Sequence, residues 1–156
     1  MKRTSLKALV AVAGFLVAAF AIVTPAFYGN IYSIPVTVSV TLWLMTVVCV
    51  MLAFKVRAAK KDDGLGIGLD RSQLNPMTVA NFMLVGKASA WTGAVVAGAY
   101  GGIGCYVFPR VNELAAAADD LWGVIFCISG GVAMAASGYY LEGQCEAPPP
   151  PDGVGA

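Results

Sequence analysis

Long intervals without charge constrain this chain more than any other feature. Residues 8–54 carry no Asp, Glu, Lys or Arg, and neither do residues 88–109 or 121–141. A bilayer core of about 30 Å is crossed by about 20 apolar residues at about 1.5 Å each. The first interval therefore holds two spans and a turn, and the other two hold one span each. With 58% of the 156 residues hydrophobic and 12% charged, little chain is left for a soluble domain. The expected fold is all-α: four transmembrane helices arranged as two hairpins.

The spans are expected at about 6–27, 34–54, 88–108 and 121–141, with a helical lead-in over 76–87. Asn75-Pro76 marks its start, Asn as the cap and Pro at the first position. From Pro76 to Phe108 a helix runs roughly 50 Å. It either projects beyond the bilayer or lies along the interface and bends near Gly86. Asp119 or Asp120 suits the cap of the fourth span. Two local alternatives compete. Lys2, Arg3 and Lys7 followed by an apolar run and Thr24-Pro25-Ala26 resemble a cleavable signal peptide. The run is longer than a typical signal core, and Pro25 sits inside the site. Val36–Leu42 alternates like a β-strand, but a lone strand in lipid leaves its backbone unpaired. The tail 146–156, with four consecutive prolines, is expected to be disordered.

The sign of the charges sets the orientation. Lys2, Arg3 and Lys7 precede the first span, while Lys55, Arg57, Lys60, Lys61 and Arg71 fill the central loop and Lys87 opens the third span. Only Arg110 falls on the other side. The positive-inside rule puts both termini and the central loop in the cytoplasm of a multi-pass plasma-membrane protein. Lys55, Arg57, Lys60 and Lys61 form a juxtamembrane cluster that attracts anionic lipid. Tyr106, Phe108 and Trp122 fall near one interface, and Trp91, Tyr139 and Tyr140 near the other, as in an aromatic belt.

Chemistry is bounded by exclusion. The net charge of +1 offers no basic surface for nucleic acid. There is no histidine, the commonest general base and metal ligand. Cys49, Cys105, Cys127 and Cys145 are scattered without a CxxC pair, so no metal site or other cofactor is expected, and Cys105 and Cys127 are expected as unpaired thiols. Gly64-Leu65-Gly66-Ile67-Gly68 lacks the lysine and spacing of a phosphate loop. No acid lies deep in a span, which argues against ion-coupled transport. Catalytic candidates are absent and an enzyme is not expected.

What remains is packing. Gly86, Ala90, Ala94, Gly98 and Gly102 recur every four residues in the third span, and Gly93, Ala97 and Gly101 form a second row. Small-xxx-small rows let helices approach closely in lipid. Gly130 and Gly138 answer from the fourth span, so these two helices are expected to pack tightly. Lys87 and Glu142 fall at similar depth and are a candidate ion pair, with Asn81 as a possible third member of a polar network.

Arg3-Thr4, the basic loop, Asn75-Pro76, Lys87-Ala88-Ser89-Ala90 and Leu141-Glu142 followed by Cys145 resemble an actinobacterial family of four-helix membrane proteins. That family is a domain of unknown function typically encoded beside folate-biosynthesis genes. The resemblance covers nearly the whole chain and implies the topology, but no activity. Two function classes follow: a non-enzymatic accessory or scaffold component packing through the glycine-rich third helix, alone as a homo-oligomer or in a larger membrane complex, and a small uncoupled channel or carrier acting as an oligomer. A path lined by Thr37, Ser39, Thr41, Ser89 and Thr92 would favour the channel, and a dry centre the scaffold.

Overall fold

The computed structural model describes residues 4–27, 37–61, 76–113 and 115–145. The first turn, the glycine-rich linker, Asn75, Arg71 and the proline-rich tail lie outside the described residues. Four helices account for nearly all the rest: α1 (Leu6–Phe27), α2 (Thr37–Lys61), α3 (Pro76–Arg110) and α4 (Ala115–Gln144). All four are long and apolar enough to cross a membrane. Large apolar side chains point outward on each of them, for example Phe15, Trp43, Leu84 and Trp122. The buried side is rich in Ala, Gly, Ser and Cys. A soluble helix buries its bulky face. Here bulky groups face the surroundings and small ones let the backbones meet, which is the pattern that hydrocarbon solvent selects.

Three helices run beyond the expected spans. Helix α2 continues past Phe54 to Lys61, because Lys, Arg and Ala are strong helix formers and nothing in Lys55–Lys61 breaks the helix. The alternating segment Thr37–Leu42 is helical too, its start at 34–36 lying outside the described residues. Helix α3 is continuous over 35 residues, through Gly86, so the lead-in extends the third span rather than forming a separate segment. Helix α4 starts at Ala115, six residues earlier than expected. Asp119 and Asp120 therefore lie inside it and cannot be its cap.

Packing departs from two hairpins. Helices α3 and α4 form a close antiparallel pair. Helix α1 packs on α3, and α2 packs mainly on α4, touching α3 less. The Cα atoms of α1 and α2 nowhere come within 8 Å of each other. The first two helices are sequence neighbours set apart, each attached to the second pair. The small residues explain this. A Cβ added at Gly93 would stand 2.5 Å from the Ala135 backbone nitrogen, and one at Gly138 would stand 2.6 Å from that of Ala90. A Cβ at Gly98 would stand 2.7 Å from the Ala13 carbonyl of α1, and one at Gly102 would stand 2.5 Å from the Phe20 Cβ. Helix α3 thus has two close-approach faces, one for α4 and one for α1. The first two helices have no equivalent glycine face for each other.

Candidate functional site

The end of the bundle that carries Lys7, Lys55, Arg57 and Lys87 is called its basic end. Here α4 finishes beside the start of α1. Glu142, on the last turn of α4, is fully buried. Its Oε1 accepts a hydrogen bond from the Thr4 backbone N–H at 2.7 Å. Thr4 precedes α1 by two residues, so the carboxylate sits at a helix start, where the helix dipole favours negative charge. Ser5 serves the same turn, its Oγ accepting from the Ala8 N–H at 3.3 Å. The other carboxylate oxygen, Oε2, and the Thr4 hydroxyl are buried without a hydrogen-bond partner.

Lys87 is half-buried on α3. The preceding residue, Gly86, touches the last turns of α4, where a Cβ on it would stand 3.1 Å from the Glu142 backbone nitrogen. The fold therefore brings the candidate ion-pair residues to one level of adjacent helices. Asn81 lies nearer the start of α3 and is exposed. Sequence reading missed Thr4. Its signal was a capping-type residue ahead of an apolar run, but the partner lies 138 residues away.

The packing residues divide between two neighbours. Gly86 and Gly93 meet α4 at Gly138 and Gly131, and Ala97 meets Gly131 as well. Gly98 and Gly101 meet α1, at Ala13 and Val17. Ala90 and Ala94 cluster with Leu9 of α1, and Ala90 also borders Gly138. Gly130 faces α2, beside Leu42 and Trp43. On the α2 side, Cys49, Ala53 and Val56 pack with Val79, Leu141 and Cys145. The Cys49 thiol donates to the Ser89 hydroxyl at 3.3 Å. None of the four cysteines is in a disulfide. Among the described residues no three His, Cys, Asp or Glu side chains come together as a metal site.

The hydroxyls considered as pore-lining do not share a path. Ser39 and Ser89 are buried, while Thr37, Thr41 and Thr92 are exposed on the outside of the bundle. The Thr41 hydroxyl donates to its own helix at the Val38 carbonyl, 2.8 Å away. At the opposite end, the Arg110 guanidinium lies 4.1 Å from the centre of the Tyr106 ring, a cation–π contact. Open grooves mark the outer surface of the described residues. One, of about 770 Å³, runs along α2 beside Trp43 and Phe126. Another, of about 490 Å³, lies between α1 and α4 with Ala94 and Ala97 of α3 lining it. Its walls are almost wholly apolar.

Four apolar spans, small-residue interfaces and an outward-facing apolar surface define a multi-pass helical membrane protein. Comparison with known families gives the particular group. The chain belongs to DUF3180, a family described as protein of unknown function, whose model matches residues 9–149. No curated protein and no solved structure matches it.

Proposed function

We propose that this protein is a non-enzymatic accessory or scaffold component of the membrane, working as a homo-oligomer or within a larger membrane complex. The observation that carries this reading is the closely packed centre. Where α3 meets α4, backbone is so close to backbone that a single Cβ at Gly93 would collide with Ala135. A monomer built this way has no room for a solute path between its central helices, and the hydroxyls considered for one are scattered. The third helix does its packing inside the chain, holding α1 and α4. The outer faces of the bundle are therefore the surface offered to a partner.

The orientation belongs to the same reading. The basic end, with nine of the ten Lys and Arg residues on its side of the sequence pattern, lies in the cytoplasm of a plasma-membrane protein with both termini inside. Lys87 and Glu142 form an ion pair there, supported by their places on touching turns of α3 and α4. The resemblance to the actinobacterial family adds an expected setting beside folate-biosynthesis genes, which names a neighbourhood and no activity.

Purification of the full chain in mild detergent, with mass determination of the intact species, tests the proposal. A stable oligomer, or one membrane partner at fixed stoichiometry, is the expected result. Recovery of the monomer alone refutes it. Solute flux through proteoliposomes containing the pure protein would favour the channel instead.

A further inference from the structure

We infer that the groove between α1 and α4 is a binding site for one acyl chain of an anionic phospholipid, with Arg57 and Tyr140 holding its headgroup. The shape argues for a single chain. Along α1 the groove runs from Leu6 to Ala13, about 11 Å at the helical rise, whereas a docking transmembrane helix follows its neighbour for about 30 Å. Its volume, about 490 Å³, falls in the range of small-molecule sites, roughly 300–1,000 Å³. Small side chains of α3 and α4, among them Ala97 and Ala136, make the depression, and only apolar matter suits it.

The charge at its end argues for the headgroup. Tyr140 lines the groove, and the Arg57 Nη1 donates to its hydroxyl at 3.3 Å. One ring thus joins the apolar slot to a guanidinium, which can bind a phosphate through two of its N–H groups. Lys7, exposed, follows Leu6 on the other wall. Cation and slot meet at the basic end, at the level where a lipid of that leaflet places its phosphate above its chains.

Trp91 provides the probe, since it packs against the Leu9–Ala90–Ala94 cluster, and Leu9 and Ala94 also line the groove. The full chain carrying Trp43→Phe and Trp122→Phe is reconstituted in phosphatidylcholine vesicles. Trp91 fluorescence is then quenched with acyl-brominated phosphatidylglycerol or acyl-brominated phosphatidylcholine. The expected result is a preference for the anionic lipid of about fivefold, the effect of one basic side chain at an anionic surface. Arg57→Gln abolishes that preference, while Lys55→Gln leaves most of it. Ala136→Phe, at an exposed position that tolerates bulk, reduces quenching by both lipids. Equal quenching by the two lipids overturns the inference. So does a preference that survives Arg57→Gln, since the headgroup is then not held at this residue. Equal losses from Lys55→Gln and Arg57→Gln also overturn it, because diffuse surface attraction would then suffice. Unchanged quenching in Ala136→Phe overturns the placement of the chain.

Discussion

Replacing Glu142 with Ala removes the acceptor that holds the start of α1. The Thr4 N–H, now 2.7 Å from Oε1, is left buried and unpaired, and a buried unsatisfied donor costs about 1–3 kcal/mol. A central value of about 2 kcal/mol corresponds to roughly 30-fold faster local opening. Glu142→Gln retains a carbonyl oxygen at the same place. It also puts an N–H donor where Oε2 now has no hydrogen-bond partner. What it loses is the charge at the helix start, worth about 0.3–1 kcal/mol, together with the proposed pairing to Lys87. Gln is therefore expected to recover at least half of the stability that Ala loses. Hydrogen exchange of the full chain in mild detergent reads this directly, in the peptide that covers Thr4 and the first turns of α1. Fast exchange there in the Ala variant, intermediate exchange in the Gln variant and unchanged exchange in α3 are the expected results. An Ala variant with wild-type exchange, or a Gln variant as open as Ala, would refute the clamp.

The other predictions concern the same packing. In a double-mutant cycle, Lys87→Met and Glu142→Gln are expected to couple by at least about 0.5 kcal/mol in thermal unfolding, and fully additive effects rule out the ion pair. Gly93→Ala forces the α3 and α4 backbones apart and should cost about 1–3 kcal/mol, seen as a lower Tm in detergent. Gly14→Ala is the control: nothing lies within 4 Å of its would-be Cβ, so the change should be neutral or stabilise by up to about 1 kcal/mol. Gly102→Ala meets the Phe20 Cβ and the Val17 carbonyl, so exchange should rise along α1 while α3 and α4 stay protected. Uniform loss of protection in all four helices would count against that assignment of faces.

The spans were legible because hydrocarbon tolerates few charges, and few charges leave countable gaps. Which helix each glycine serves was not legible. A row spaced every four residues turns by about 40° at each step, since a helix has 3.6 residues per turn. Gly86, at one end of the row, faces α4, and Gly102, sixteen residues on, faces α1. The row seen in sequence is a slow spiral across two neighbours. The separation of α1 from α2 was hidden for a related reason: adjacency in the chain is a good guide to adjacency in space, and only side-chain size on α3 and α4 overrides it here. Glu142 could be placed by depth as a partner for Lys87. Its bond to a backbone amide could not, because a main-chain donor leaves no mark on sequence.

The gap between α1 and α2 also has a bearing on biosynthesis. The N-terminal half leaves the ribosome first, yet neither of its helices has its final neighbour at that moment. Both must stay inserted and unengaged until the later pair arrives. Only then do α3 and α4 receive them, one each. Assembly therefore depends on the last-made half of the chain, and a truncation after the central loop would leave two spans in the membrane with nothing to join them.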